Sequence, residues 1–286
     1  MSIAATRAQT GTPARGWNLS SFTGVNACAP VPVVVKPAAD NATYAVSIYG
    51  DAAVANSLNA YVKDGQVYVE NTAPFNTANP VGIVLTMPSD KLEAVYNRGT
   101  GGSASLTAIS GFTPSTMTVD TIPGSGPTVL GINNATSSIY VSHASSSDLR
   151  ISGSIGTVDF STTANSGGNA AFNTVSDTAN LSVASKLQNV YVGGAQDVLV
   201  TGSSLGATSV SNGTCSLTSG SCTQVPPLAV EAVTMPTFKG ASVAQICSCS
   251  GCVNPPPPPQ PKPAPPPPSP PPPRATPPPR NPFPPP

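Results

Sequence analysis

The C-terminal end of the chain is dominated by proline. Residues 255–286 contain 22 prolines, and they follow a cluster of three cysteines, Cys247, Cys249 and Cys252. Proline fixes its own φ angle, lacks a backbone N–H and pushes the preceding residue toward extended geometry. The segment therefore predicts a polyproline II tail, which at about 3.1 Å per residue reaches roughly 100 Å. Such a tail has no core, so any folded domain lies before it.

The body of the chain, from residue 30 to residue 225, reads as short β-strands separated by turns. Apolar and polar residues alternate in segments such as Tyr44–Tyr49 and Gln66–Glu70, and Asp-Asn, Asp-Gly and Asn-Pro turn signals bound such segments. Further along, apolar-variable-apolar triplets follow one another at spacings of 10, 9, 23, 9 and 8 residues. These triplets begin at Ile139, Leu149, Val158, Leu181, Val190 and Val198.

This rhythm predicts an all-β fold. About 8–10 residues per strand suits a β-solenoid, similar to a right-handed β-helix, in which each coil buries its inward side chains only by stacking on the next. A β-sandwich also has strands every 8–12 residues or so and is the alternative, although the small residues at the corners favour the solenoid. We predict an N-terminal extension (1–24), a β-solenoid head (25–225), a cysteine-containing neck (226–253) and a polyproline tail (254–286).

Charged residues are scarce and balanced. They make up 8% of the chain, and 12 basic residues face 12 acidic ones. Nucleic acids and anionic membranes are bound through basic patches, so we expect neither as a partner. We also expect no membrane span, because no run is apolar and long enough. The N-terminal residues lack the apolar core of a signal peptide, so we expect that a leader has been removed or that the sequence is incomplete.

Six cysteines, an even number, indicate disulfides in an oxidising compartment. A zinc site is the alternative. Cys249 and Cys252 form the one pair with the spacing of zinc ligands, and the single histidine, His143, lies far from them in the sequence. Disulfides are therefore the favoured interpretation.

Loop length indicates how the cysteines pair. Cys215 and Cys222 enclose a flexible loop, Ser-Leu-Thr-Ser-Gly-Ser, so we expect them to bond to each other. Cys28 would then reach the C-terminal cysteine cluster and tie the N-terminal strand to the neck. The sequence leaves open which member of the cluster it joins.

Four runs of the body carry a resemblance to a known family. They are Val33–Pro37, Tyr44–Gly50, Leu58–Glu70 and Val84–Gly101. In their patterning, and in the short repeats that follow, residues 25–225 resemble the GIN-type adhesin head domain. The resemblance implies a right-handed β-helix on an extracellular protein, and it carries over no catalytic residues.

The tail resembles the hydroxyproline-rich cell-wall glycoproteins of plants and green algae. Ser269–Pro273 matches the Ser-Pro₄ unit of extensins, and a cysteine-containing domain before a proline-rich rod is similar to the pherophorin arrangement. The resemblance implies hydroxylated prolines that carry O-linked sugars. The candidate positions are Pro256, Pro257, Pro258, Pro266, Pro267, Pro271, Pro272 and Pro278.

Asn-x-Ser/Thr sequons are a second sign of glycosylation. They occur at Asn18, Asn41, Asn134, Asn180 and Asn212. Any one sequon arises readily by chance in a chain rich in Asn, Ser and Thr. Together with the cysteines and the tail, the set predicts N-glycosylation, above all at Asn134 and Asn212, which stand beside Gly and Ser.

Residue patterns typical of catalytic sites are only weakly present in the sequence. The acidic residues are dispersed, and only Asp90 and Glu93 lie within four positions of each other, in a predicted turn. His143 stands among serines without a nucleophile elbow. Three aspartates are spaced so that they could stack on one face of a solenoid, but solvated positions beside the apolar triplets are the favoured interpretation: Asp159, Asp177 and Asp197. We expect no enzyme, no cofactor and no metal.

The sequence favours a secreted structural glycoprotein of a cell wall, surface appendage or extracellular fibre, which assembles end to end through its strand edges. The alternative is an adhesin or carbohydrate-binding module on a proline-rich stalk; a polysaccharide-degrading enzyme ranks third. The expected partners are further copies of the chain, covalently attached glycans and cell-wall polysaccharide. An outward row of aromatic side chains would favour sugar binding. The tyrosines that decide this are Tyr49, Tyr61, Tyr68, Tyr96, Tyr140 and Tyr191.

Glycosylation predicts the mass of the native protein. We expect material from its source to weigh more than the 28.6 kDa of its residues, and its tail to contain hydroxyproline. Intact mass before and after enzymatic removal of N-glycans, with amino-acid analysis of the tail, measures both. A native mass of 28.6 kDa with unmodified proline would contradict both kinds of modification.

Overall fold

The computed structural model describes most of the body of the chain, and for residues 171–224 the description concerns the backbone. The described residues are 12–101, 103–162, 169–175, 178–182, 187–193, 197–201, 205–210, 214–217, 222–224 and 232–253. The chain divides into two units, Met1–Pro255 and Pro256–Pro286. All described residues belong to the first unit, so the predicted polyproline tail lies outside them.

Short strands and one short helix make up the first part of the chain. In chain order they are β1 (Arg15–Asn18), β2 (Gly24–Ala27), β3 (Pro32–Pro37), β4 (Ala45–Tyr49), α1 (Ala52–Ser57), β5 (Leu58–Lys63), β6 (Gln66–Asn71), β7 (Phe75–Met87), β8 (Ala94–Asn97), β9 (Ser105–Phe112) and β10 (Thr116–Thr121).

Two long strands and a series of short ones follow. They are β11 (Thr128–His143), β12 (Leu149–Thr162), β13 (Asn169–Val175), β14 (Thr178–Ser182), β15 (Leu187–Gly193), β16 (Asp197–Thr201), β17 (Leu205–Val210), β18 (Thr214–Leu217), β19 (Cys222–Gln224), β20 (Lys239–Val243), β21 (Ile246–Ser248) and β22 (Gly251–Val253).

The helix α1 begins at a capping carboxylate. Asp51 Oδ1 accepts a hydrogen bond from the Val54 N–H at 3.0 Å, which satisfies one of the free donors of the first turn. Its other oxygen, Oδ2, accepts from the Thr77 hydroxyl at 2.8 Å and so joins the helix to β7. These hydrogen bonds, that from Val54 first, hold the pKa of Asp51 below its usual value.

The hydrogen-bonded strands form two layers. Layer A runs in the order β1, β4, β7, β3, β9, the first half of β11, the first half of β12, β13, β15, β17 and β19. Layer B runs in the order β5, β6, β2, β8, β10, the second half of β11, the second half of β12, β14, β16 and β18. Because β11 and β12 pass through both layers, the hydrogen bonding is continuous, and with β20, which pairs with β7, it extends through 20 strands.

From β8 to β19, successive strands alternate between the layers and pair in parallel with the strand one coil away. Asn169 in β13, for example, lies opposite Asn189 in β15, and Asp197 in β16 lies opposite Thr214 in β18. Antiparallel pairing occurs at the beginning, where β1, β4 and β5 pair with their neighbours. An Ig-like sandwich has antiparallel strands throughout. The all-β prediction is confirmed, and the parallel, alternating order agrees with the solenoid interpretation.

The core lies between the layers and is made of inward rows of aliphatic side chains. Val33 and Val35 of layer A and Val25 and Val67 of layer B belong to one buried cluster. The inward position recurs at every second residue, as the period of a strand requires. A residue at such a position therefore contacts the corresponding residues of the neighbouring coils as well as the opposite layer.

After the last coil, the chain returns to the first coils. Val233 exchanges hydrogen bonds with Ser110 of β9, since its N–H donates to Ser110 Oγ at 2.8 Å and its carbonyl accepts from the Ser110 N–H at 2.9 Å. Phe238 then packs on the outer side of layer A against Val34 and Val84. A Cβ at Gly82 would overlap the Phe238 ring, so glycine is needed for this close approach.

Strand β20 completes this return by pairing antiparallel with the first part of β7. The described part of the predicted neck, residues 232–253, thus belongs to the same compact unit as the head, and so does β1 of the predicted extension. Residues 232–235 lie beside β9, because Ser110 and the cluster around Phe238 hold them there.

Phe238 provides a test of this return. Its ring is 3% exposed, so we expect Phe238→Ala to lower the free energy of unfolding by about 3 kcal/mol or more. Urea unfolding under non-reducing conditions measures the change. The control is Val253→Ala, whose side chain is 61% exposed and whose loss should cost under about 0.5 kcal/mol. Equal effects of the two variants would show that the returning segment does not pack on layer A in solution.

Candidate functional site

The outer side of layer B is a polar and aromatic surface. In β6, Val67 and Val69 are buried, so Gln66, Tyr68 and Glu70 point outward. Alternate residues of β5, β2, β8, β10 and the second half of β11 point to the same side, although in β2 the outward Asn26 is itself buried. We call the outer side of these six strands the tyrosine face, after the four tyrosines that it carries: Tyr61, Tyr68, Tyr96 and Tyr140.

The tyrosine rings differ in how they are held. Tyr61 and Tyr68, opposite each other on β5 and β6, stack with ring centroids 5.4 Å apart and an angle of 11° between the planes. The Arg98 guanidinium lies 5.3 Å from the centroid of Tyr96. Tyr140 is 48% exposed and Tyr61 is 37% exposed, and both rings are therefore available to a ligand.

The two other tyrosines in question belong to layer A. Tyr49 packs against Phe238, with ring centroids 5.7 Å apart. Tyr191 lies in β15, at the register position that corresponds to Ala171 in β13. Four of the six tyrosines therefore share one face, a distribution that the sequence alone does not specify.

A polar groove of about 360 Å³ opens on the tyrosine face near the beginning of its strands. It is lined by Thr23, Gly24, Gln66, Glu93, Ala94, Ser115, Thr116 and Thr118. Gly24 and Ala94 form the floor of this groove, and their small side chains leave it deep. Gln66 lies across this floor, where its Oε1 accepts a hydrogen bond from Asn26 Nδ2 at 2.6 Å. A Cβ at Gly24 would come within 2.9 Å of Gln66 Cγ, so glycine at this position lets the glutamine lie flat.

The face is not basic. Arg98 and Asp120 form an ion pair with an N–O distance of 3.9 Å, in which both side chains are about two-thirds buried. Glu70 accepts a hydrogen bond from the Cys249 N–H at 3.0 Å. Glu93 lines the groove, and Lys63 at the end of β5 is exposed. From β5 to β10, two cations thus face three carboxylates, which gives no attraction for a polyanion.

A hairpin, β21–β22, lies along the edge of this face where its strands end. Cys28 directly follows β2, and it is bonded to Cys249 in the turn of the hairpin, with 5.0 Å between the Cα atoms. The hairpin is closed by a second disulfide, Cys247–Cys252, with 4.0 Å between the Cα atoms. Thr100, in the loop after β8, makes a contact with Cys252 in which Oγ1 and Sγ lie 3.4 Å apart.

Asn71 fixes the approach of this hairpin. It is 1% exposed, its Nδ2 donates to the Gln245 carbonyl at 2.7 Å, and its Oδ1 accepts from the Cys247 N–H at 2.8 Å. One side chain thereby substitutes for a strand partner and satisfies the backbone of the incoming chain. The hairpin is therefore held by hydrogen bonds as well as by the disulfide to Cys28.

The residues considered for catalysis are placed apart. His143 is buried in the core, where its Nδ1 lies 2.9 Å from Thr121 Oγ1 and its ring lies 6.2 Å from that of Phe160. Asp159 lies in register with Asn180, whereas Asp197 lies opposite Thr178. These two aspartates therefore do not stack in one row.

The remaining candidates give no cluster either. Asp177 lies outside the described residues, and Asp90 forms an exposed ion pair with Lys91 at 2.9 Å. Within the part of the chain that the structure describes, no three His, Cys, Asp or Glu side chains come together as metal ligands do. Among the same residues, no helix has the length and apolarity needed to cross a bilayer.

Residues 21–217 match the family model described as "Putative auto-transporter adhesin, head GIN domain". The chain belongs to this family. The resemblance seen in the sequence to the GIN-type adhesin head is thereby confirmed, and the match covers every strand of the tyrosine face. No curated protein matches the chain.

Three solved structures are similar to the GIN domain of this chain at low sequence identity. One, from Bacteroides fragilis, is described as a putative adhesin; it has 16% identity and a TM-score of 0.45, and the alignment covers 71% of this chain and 94% of that one. Two come from Parabacteroides distasonis. The first, described as a putative lipid binding protein, has 14% identity, coverages of 76% and 98% and a TM-score of 0.47. The second, described as a putative adhesin, has 14% identity, coverages of 74% and 95% and a TM-score of 0.39.

The hairpin that borders the tyrosine face lies beyond the GIN domain match, which ends at residue 217. The sequence left open which cysteine joins Cys28, and the structure shows that it is Cys249. The side chains of Cys215 and Cys222 lie outside the description, so their pairing stays a prediction. Their backbones lie opposite Val198 and Thr208, respectively.

The sequon asparagines occupy different settings. Asn18 and Asn41 are exposed, and Asn41 follows Asp40, whose carboxylate accepts hydrogen bonds from the next turn. Asn134 is half-buried, and its Nδ2 donates to the Pro114 carbonyl at 2.8 Å, which turns the amide toward the adjacent coil. The side chains of Asn180 and Asn212 lie outside the description.

Several residues of this site carry no role in the sequence-based prediction. Gly24, Gln66, Glu70 and Asn71 are ordinary strand residues by composition. The alternation in β6 places Gln66, Tyr68 and Glu70 on one face, and that signal is present in the sequence. The sequence gives no signal for the hydrogen-bond partners of these residues, since Asn71 and its partner Cys247, for example, lie 176 positions apart.

Glu70 also affects the ionisation of Tyr61. Burial first, and then the negative charge and hydrogen bond of Glu70, raise the pKa of Tyr61 above its usual value. A raised pKa favours the protonated phenol in the fold. This contribution to stability is therefore present below the unfolded pKa and is lost as the pH rises through the folded pKa.

We expect Glu70→Gln to lower the pKa of Tyr61, because glutamine keeps the hydrogen-bonding oxygen and removes the charge. Titration of the ultraviolet absorbance of tyrosinate measures the shift, and Tyr61→Phe identifies its signal. Lys63→Gln is a control of opposite charge on the same face. An unchanged titration in Glu70→Gln would show that burial alone raises the pKa of Tyr61.

Proposed function

We propose that the chain is an extracellular adhesin whose binding surface is the tyrosine face, carried by the proline-rich segment that follows the hairpin. Membership of the GIN adhesin family supports the adhesin function and a location at the cell surface or outside the cell. The observation that selects the surface is the contrast between the outer sides of the two layers. The apolar outer side of layer A is covered by Phe238, whereas layer B leaves the rings of Tyr61 and Tyr140 exposed.

The proposed head binds without catalysis. His143 is buried, and on the tyrosine face Asp120 is paired with Arg98 while Glu70 is held by the Cys249 N–H. General acid-base work needs carboxyl groups free to exchange protons with a substrate. The arrangement of these residues suits binding better than hydrolysis.

The interpretation as a structural glycoprotein of a cell wall or fibre stays a prediction, as do the glycans and end-to-end assembly. The hydroxyproline-rich tail of extensin or pherophorin type also remains proposed. An adhesin has the same need for such a tail, because a stiff and extended segment separates a binding head from its point of attachment.

Adhesion under flow tests the proposed function. The full chain is attached to beads by its C-terminus, and the beads are passed over films of mucin, collagen and cellulose. We expect the beads to be retained on at least one film. The double variant Tyr61→Ala/Tyr140→Ala removes both exposed rings and should reduce retention to that of bare beads. Trp17→Ala is the control, because it removes a larger ring from β1 in layer A. Retention no better than that of bare beads on every film, or equal retention of the double variant, would refute the proposal.

A further inference from the structure

Three of the four tyrosines of the tyrosine face stand on alternate strands. In the order β6, β2, β8, β10 and β11, Tyr68, Tyr96 and Tyr140 stand on the first, third and fifth strands. Tyr68 and Tyr96 share one register row, whereas Tyr140 lies opposite Thr118, two residues before that row, so a ligand that contacts all three rings crosses the strands obliquely. Neighbouring strands lie about 4.8 Å apart, so successive tyrosine-bearing strands are separated by roughly 10 Å. The intervals are comparable to the length of a disaccharide unit in an extended glycan.

Polar side chains lie over the strands between the tyrosines. On β2, Asn26 is 3% exposed and is bonded to Gln66, so Gln66 is the polar group that a ligand meets there. On β10, Thr118 is exposed and Asp120 follows Tyr96 in the register row. A pyranose ring presents C–H groups on its faces and hydroxyl groups at its rim. Aromatic rings contact the former, and amide or carboxylate groups bind the latter. The alternation of rings with polar groups thus matches the alternation within a sugar chain.

The composition of the face argues against other ligands. A lipid needs a continuous apolar patch, but among the described residues the exposed large apolar side chains are Tyr61, Tyr140 and Val253. A polyanion needs a basic patch, but Lys63 and Arg98 stand against Glu70, Glu93 and Asp120. An uncharged ligand with many hydroxyl groups requires neither a continuous apolar patch nor a basic patch.

From these observations, and building on the proposed function, we infer that the tyrosine face binds an extended, uncharged polysaccharide that lies across the strands of layer B. Tyr68, Tyr96 and Tyr140 contact the faces of alternate sugar units. The groove beside Gln66 and Thr118, at about 360 Å³, is of the size of known small-ligand sites. It receives one further sugar, such as a branch of the chain.

Electrophoresis of the full chain through gels that contain a soluble polysaccharide tests this inference. Hydroxyethylcellulose is the uncharged probe, and polygalacturonate is the polyanionic one. We expect retardation by hydroxyethylcellulose alone, and no competition by free glucose at matched sugar concentration, because a monomer contacts one ring at a time. Retardation by polygalacturonate and not by hydroxyethylcellulose would overturn the inference.

Matched variants separate the rings from their hydroxyl groups. Tyr140→Ala should weaken binding to hydroxyethylcellulose about tenfold or more, since it removes a stacking surface, whereas Tyr140→Phe keeps that surface and should bind within about twofold of the parent chain. Tyr96→Ala and Tyr96→Phe repeat the comparison on β8. Gly24→Ala pushes Gln66 into the groove and should weaken a branched galactomannan more than hydroxyethylcellulose.

The outcomes of this test are distinct from those of the adhesion experiment. Retention of beads on collagen, without retardation by either neutral polysaccharide, would refute the glycan ligand and leave the adhesin intact. Retardation that is equal in Tyr140→Ala and Tyr140→Phe would show that the polysaccharide binds elsewhere on the chain.

Discussion

Parallel pairing between successive coils is the interaction on which the rest of the structure depends. Each coil contributes one short strand to each layer, and such a strand buries its inward side chains only when the next coil lies on it. The pairing also aligns the outward rows, because a register fixed for Val25 and Val67 is fixed for Asn26 and Tyr68 as well. A slip of one residue would exchange the two sides of a strand. The core and the tyrosine face are therefore specified by the same hydrogen bonds.

The two layers meet solvent in different ways. Val34 and Val84 make part of the outer side of layer A apolar, and exposed apolar patches promote unwanted association. The chain covers this patch with its own returning segment, through Phe238 and β20. On the tyrosine face of layer B, most of the outer residues are polar or carry hydroxyl groups, so this face needs no such cover. The segment after the last coil thus determines which side of the head remains free.

Local patterns predict much of this fold, and long-range contacts account for what they miss. The triplets at Ile139 and Leu149 do form strands, but they belong to different layers, so one coil uses two successive repeats. Alternation also indicates which side of β6 carries Gln66 and Tyr68. No periodic pattern in the sequence indicates that Asn71 binds the backbone of Cys247, or that Ser110 binds Val233. Such partners follow from the path of the returning chain, which depends on the completed stack of coils.

The Cys28–Cys249 bond has a mechanical consequence. Tension applied to the chain beyond Val253 enters the hairpin, crosses this disulfide and arrives at β2, in the middle of the tyrosine face. The two cysteines are 221 positions apart, and the chain between them forms a closed loop outside that covalent route. In the proposed adhesin, a tether pulling against a bound ligand would therefore load β2 and its immediate neighbours, while the stacked coils would bear little of the force. Such a head would resist detachment without any requirement that its coils resist being unwound.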